Sequence, residues 1–141
     1  MSITEVRRET ASETPRTRSV DMKLEVVVIP VSNVERAKRF YSKLGWRLDG
    51  DFVKGDAFRV VQFTPPGSSC SIHFGTGITS AVPGLSQGLY LVVSDIEAAR
   101  AELAGRGVDV SEIQHFPWGS FVFFSDPDGN GWAVQQLPPR Q

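Results

Sequence analysis

The chain is short of several things that site chemistry usually needs. Cys70 is its only cysteine, so neither an intrachain disulfide nor a multi-cysteine metal site can form, and a reducing cytoplasm is the expected location. His73 and His115 are its only imidazoles, which narrows the metal and general-base chemistry available. A surplus of one charge is also missing: 15 Lys and Arg against 16 Asp and Glu leave a formal net charge of −1. Nucleic acid is therefore not an expected partner, because phosphate binding needs a basic surplus or stripe. No apolar run approaches the roughly 18–20 residues that cross a bilayer, so no membrane partner is expected either.

What remains is an ordinary globular composition, 40% apolar and 22% charged over 141 residues. Residues 1–22 stand apart. They hold no aromatic, balance four arginines against four acids, and otherwise consist largely of Ser, Thr and Pro. Such a segment buries too little apolar area to offset its ordering entropy, so a disordered tail is expected over 1–22 and a folded unit over 23–139.

The folded unit contains a repeat at an offset of 62. Ser32-Asn33-Val34-Glu35 falls on Ser94-Asp95-Ile96-Glu97, Gly45 falls on Gly107, Val60-Val61 on Val122-Phe123, and Pro65 and Gly67 on Pro127 and Gly129. The local reading of each copy is the same. Leu24–Val31 is a β-rich apolar run, and Ser32 with Glu35 forms an S-x-x-E capping box. Val34, Ala37, Phe40, Tyr41 and Leu44 form a helical stripe that Gly45 ends. Strands are expected over Trp46–Phe52, Ala57–Thr64 and Cys70–Gly75. The second copy predicts a strand over Leu89–Ser94, a Ser94–Glu97 capping box, a stripe of Ile96, Ala99 and Leu103, and a cap at Gly107. Strands then follow over Val108–Gln114, Ser120–Ser125 and Gly131–Leu137. The expectation is an α+β fold of two pseudo-symmetric βαβββ modules, about 23–75 and 88–138, joined by a linker over 76–87. Their sheets would curl around a cleft, with the helices outside.

These modules, the openings VVVIPVSNVERAKRFYSKLGW and LYLVVSDIEAARAELAGRGV, and the closing FSDPDGNGWAVQQ resemble the vicinal oxygen chelate superfamily. That group includes glyoxalase I, extradiol dioxygenases, fosfomycin resistance proteins and bleomycin-binding proteins. The resemblance covers about residues 23–138. It specifies a fold more than a function, because the group hosts several chemistries and some pure binders. It also implies homodimers, and, in the metal-dependent members, ligands from the first and last strand of each module. Those columns fall on Val26, Ser71, Gly88 and Ala133, none of which is a usual ligand. No metal or other cofactor is therefore expected; the alternative is one divalent metal at a displaced site.

Strand alternation sorts what could face the cleft. Val26, Val28, Ser71 and His73 from the first module would meet Tyr90, Val92, Ala133 and Gln135 from the second, with Trp118 as a lid or hairpin residue. A pocket so composed, mostly apolar with few polar groups, suits a small molecule. His73 is the candidate catalytic residue, open to three readings: general base, lone metal ligand or hydrogen-bond partner. His115 is expected in an exposed loop and Cys70 in the core. Two motifs are set aside. Gly84-Leu85-Ser86-Gln87-Gly88 matches G-x-S-x-G but lacks the strand before and helix after that a nucleophile elbow requires. Asp126–Gly131 matches the start of a calcium loop, but the twelfth position is Leu137 and the flanks are strands, so a turn is expected. The basic cluster Arg36, Lys38, Arg39 and Lys43 reads as a solvated helix face. The leading expectation is a metal-free protein that binds a small, partly apolar or aromatic molecule. The alternatives are a divalent-metal lyase, isomerase or dioxygenase of the same superfamily, and a metal-independent enzyme using His73.

Overall fold

The computed structural model describes residues 19–139. The expected tail therefore lies outside the described residues as far as position 18, and residues 19–22 carry no regular structure and are exposed. Two βαβββ modules follow in order. The first comprises β1 (Val26–Val28), α1 (Val34–Lys43), β2 (Arg47–Lys54), β3 (Phe58–Thr64) and β4 (Ser71–Thr76). The second comprises β5 (Leu89–Val92), α2 (Ile96–Gly105), β6 (Gln114–Phe116), β7 (Gly119–Ser125) and β8 (Gly131–Gln136). Each builds one open, mixed, four-stranded sheet, ordered β1-β4-β3-β2 and β5-β8-β7-β6, with the first pair parallel and the others antiparallel. No helix among the described residues is long and apolar enough to cross a membrane.

The helices start one residue later than the capping-box reading. Asn33 and Asp95 are the N-caps; each is extended and accepts from the backbone N–H three residues on, at Arg36 and Ala98. An Asn or Asp side chain does this as well as Ser, and it shifts the first turn by one position. Gly45 and Gly107 follow the helices at φ 85° and 83°, where a side chain would be strained. Strand β6 is shorter than expected: residues 108–113 form no strand, although the Ser111 backbone and hydroxyl both bond to Phe123.

The repeat is real, but it is not gapless. The N-caps, the glycine caps and the last strands keep a separation of 62. In the first strands, Val26 pairs with Ser71 and Tyr90 with Ala133, so the separation is 64 there. In the third strands, Gln62 pairs with His73 and Phe121 with Gln135, a separation of 59. Four residues lead from Ile29 to Asn33, but only two from Val93 to Asp95, although Ile29 and Val93 make the same backbone bond to β4 and β8. Pro30 and Val31 are the extra residues.

One core serves both sheets. Tyr41 packs its ring against Phe63 and Phe74 of the first sheet and against Trp132 of the second, and Phe40 meets Phe124. Helix α1 is thus the joint between the modules. Its polar lock is the DPDGN turn, which does more than reverse the chain. The buried Tyr41 hydroxyl donates to Asp126 at 2.9 Å, and Trp132 Nε1 donates to that hydroxyl at 3.1 Å. Burial, reinforced by the Asp126 charge, pushes the Tyr41 phenol well above its ordinary range, so it remains a donor. Asn130, fully buried, donates to Pro30 O and Asp126 and accepts from the Gly84 and Ser86 backbone. Asp128 accepts from Ser32 and Arg36 at the start of α1. The basic cluster is therefore not simply solvated: Arg36 pairs with Asp128 and Lys38 with Asp51, while Lys43 lies over the Phe40 ring.

Candidate functional site

With the helices on one face of each sheet, the opposite faces are free to carry function. On the first sheet, alternation puts Val26, Val28, Ser71 and His73 on that face, and Gln62 stands directly beside His73. The register of β2 against β3 shifts between Leu48 and Gly50. This bulge turns Asp49 toward the same face, a recurrent use of an extra residue. The result is a connected polar network. His73 Nε2 lies 2.8 Å from Gln62 Oε1, and Gln62 Nε2 lies 3.3 Å from both Asp49 and Ser71. The Thr64 hydroxyl donates to Asp49 and lies 2.6 Å from the Ser71 hydroxyl, and Arg47 donates to Asp49 at 2.5 Å. Hydrogen bonds from Thr64 and Arg47, with a further one from Gln62, hold the Asp49 carboxyl below its ordinary range.

The second sheet presents different chemistry. Tyr90, Val92, Phe121, Phe123, Ala133 and Gln135 share its free face. The rings form a chain along it. Trp118 stacks on Phe116 at 5.1 Å between centroids, Phe116 meets Phe121 edge-on, Phe121 stacks with Phe123, and Tyr90 meets Phe121 edge-on. Tyr90 and Trp118 are each about 60% exposed. Gln135 donates to the Trp118 carbonyl, which ties the β6–β7 turn to the face. Beside the chain lies a hollow of about 610 Å³ with Tyr90, Phe123 and Ala133 on its wall and Gln87, Asp109, Ser111 and Ser125 as its polar side chains. A second groove of about 530 Å³, where Val92 and Tyr90 approach Trp46 and Pro65, lies between the modules.

The structure thus brings the predicted residues together in two groups: Val26, Val28, Ser71 and His73 on one face, and Tyr90, Val92, Ala133, Gln135 and Trp118 on the other. The 610 Å³ hollow is walled by residues 87–133 alone. His115, expected in a loop, lies in β6 beside Ser120 at 2.8 Å, on the helix side of the sheet. Cys70 is half-buried just before β4 rather than in the core.

Residues 23–134 match the family model of the Glyoxalase/Bleomycin resistance protein/Dioxygenase superfamily. The chain belongs to this superfamily. It is 34% identical to TnmS3, an antibiotic-binding protein from Streptomyces sp. CB03234, over 86% of this chain and 100% of that one, with a TM-score of 0.76. A glyoxalase/bleomycin resistance protein from the same organism is 36% identical over 81% of this chain and all of its own, with a TM-score of 0.69. A glyoxylase-like domain-containing protein of Didymella fabae is 31% identical over 81% of this chain and 93% of its own length.

The metal columns of the superfamily can now be placed by pairing rather than by offset. Val26 and Ser71 stand as expected, but the partner of Ala133 is Tyr90, not Gly88, because β5 sits two residues further along. One aliphatic, one hydroxyl, one phenol and one methyl do not make a divalent-metal donor set. Among the described residues, no three His, Cys, Asp or Glu side chains come together. These positions do not fit the metal found elsewhere in the superfamily.

Sequence reasoning missed Asp49, Gln62 and Thr64 on the first face and Phe116, Phe121 and Phe123 on the second. The signal for Gln62, Thr64, Phe121 and Phe123 was period-two alternation in β3 and β7. Asp49 has no such signal, since its direction depends on the bulge.

Proposed function

We propose that this protein binds a small, planar, partly aromatic molecule on the free face of the second sheet, without a metal in the superfamily's columns. The observation that carries this reading is the chain of five aromatic rings from Trp118 to Phe123 and Tyr90, of which Tyr90 and Phe123 also line a hollow of suitable size. Rings held in offset and edge-on contact offer a rigid, largely preformed stacking surface, and a pocket of a few hundred cubic ångströms is the usual scale for a small ligand. The antibiotic-binding relative at 34% identity supports the ligand class.

Tyr90, Val92 and Trp118 are exposed on this face and offer an apolar surface for a partner. In this reading a second copy of the chain covers it, so that the polar face of one copy completes the aromatic face of the other around the ligand. The site is cytoplasmic and takes no nucleic acid. Thermal-shift screening against polycyclic aromatic compounds and antibiotics tests the binding: one or more should raise the melting temperature, and the rise should grow with the logarithm of ligand concentration above the Kd. Light scattering should give twice the monomer mass. A flat response across the whole collection counts against the reading.

A further inference from the structure

The polar network of the first face is directional. Every hydrogen bond in it resolves to one sense once Asp49 is recognised as a carboxylate, which only accepts. The Gln62 amide must then turn its NH₂ toward Asp49 and Ser71, at 3.3 Å each. That leaves Gln62 Oε1 facing His73 Nε2 at 2.8 Å, and a carbonyl oxygen can only accept. His73 must therefore carry its proton on Nε2. The Thr64 hydroxyl gives its proton to Asp49, so the Ser71 hydroxyl gives its own to Thr64, and Arg47 Nε donates to Asp49 as well. Five groups thus orient toward a single acceptor that does not touch His73.

We propose that Asp49 is a positioning residue that acts on His73 through Gln62: it holds the neutral imidazole as the Nε2–H tautomer and leaves Nδ1 as an acceptor for a hydrogen-bond donor on the ligand, a hydroxyl or phenol. The imidazole has no other partner among the described residues. In its neutral form it therefore selects a molecule with a donor at its polar edge over the same molecule with that donor capped by methyl. The donor-selection part rests on the binding reading above; the tautomer part does not.

The test uses the full chain labelled with ¹⁵N, and long-range imidazole spectra recorded at a pH where His73 is neutral. The ligand-free protein should show one tautomer, protonated at Nε2, with its Hε2 proton slow to exchange. Asp49→Asn removes the obligate acceptor, allows Gln62 to turn its NH₂ toward His73, and should raise the Nδ1–H population and speed Hε2 exchange at a residue that Asp49 does not touch. Gln62→Leu, which removes the direct partner and keeps the sheet apolar, should abolish the slow Hε2 signal and serves if Asp49→Asn folds poorly. A mixed tautomer in the parent protein, or an unchanged His73 in a folded Asp49→Asn protein, overturns the relay and leaves aromatic binding standing. Addition of 1-naphthol should move the Nδ1 resonance, and 1-methoxynaphthalene should bind about fivefold more weakly without moving it, which is the worth of one neutral hydrogen bond. Equal response to the two probes overturns donor selection. A single tautomer with no binding of either probe overturns the binding reading and leaves the relay intact.

Discussion

The two free faces occupy matching places in two copies of one module, yet they carry opposite chemistry. Where the first sheet sets Gln62 beside His73, the second sets Phe121 beside Gln135. Where the first closes Thr64 onto Ser71 by hydrogen bond, the second pairs Phe123 with Ala133. The helix-side positions have diverged less: Val61, Phe63, Ile72 and Phe74 in one copy and Val122, Phe124, Trp132 and Val134 in the other are all apolar and buried, with Ser120 and His115 the polar exceptions toward the edge of the second sheet. The shared core demands close packing, and outside the hydrogen-bonded DPDGN turn it is filled with apolar volume. The free faces meet no such demand, so one could become a hydrogen-bonding surface and the other a stacking surface. A ligand held between copies would then have a polar edge and an aromatic body read by different sheets.

The largest effect on both faces is expected at the joint between the modules. Asn130→Ala removes a fully buried side chain that satisfies Pro30, Asp126, Gly84 and Ser86 at once, and should cost about 3 kcal/mol by urea denaturation. Both faces should be lost together, because both rest on the core that this turn closes. Next in size, Tyr90→Ala combined with Trp118→Ala should weaken a planar aromatic ligand by about 100-fold, roughly tenfold for each stacking ring, and should lower the melting temperature by loosening the pairing of copies rather than the fold of each. Isothermal titration and thermal unfolding read the two quantities separately.

A smaller effect separates the faces by pH. The Asp49 carboxyl titrates below its ordinary value in the folded protein, so it contributes stability above the unfolded pKa of about 3.9, and that contribution is lost as pH falls through the folded value. Asp49→Asn should therefore be less stable than the parent near neutral pH, and the gap should close in strong acid. Denaturation midpoints at a series of pH values check this. The second face has no such titrating centre in its ring chain, so Tyr90→Phe should leave the acid limb unchanged. Smallest of all, His115→Ala should alter ligand affinity by less than twofold in the same titration, since His115 bonds Ser120 on the helix side.

Much of the fold was legible because it rests on local signals: apolar alternation, an S-N-V-E helix start, and glycines where the chain must take positive φ. The repeat told which elements correspond, but not their register. A two-residue loop difference at Pro30 and Val31 leaves helix spacing untouched and still moves a strand residue from Gly88 to Tyr90, which decides what fills a metal column. His73, Ser71, Tyr90 and Gln135 were found because alternation follows from the pleat. Asp49 was not, because a bulge is a property of two strands paired, and neither strand alone shows it. The aromatic chain was half visible: Trp118 stood out beside a turn, whereas Phe121 and Phe123 in GSFVFFS were hidden among core phenylalanines that differ from them only in parity.

In the proposed binding mode the aromatic face of the second sheet is the ligand surface. Trp118 is the exposed tryptophan of the three, with Trp46 and Trp132 buried in the core, so fluorescence during titration with a polycyclic aromatic compound selected by thermal shift reads that face directly. Quenching should be saturable, follow the affinity measured by calorimetry, and disappear in Trp118→Phe while binding persists. Calorimetric binding with the Trp118 emission unchanged in intensity and wavelength would place the ligand elsewhere and contradict this binding mode.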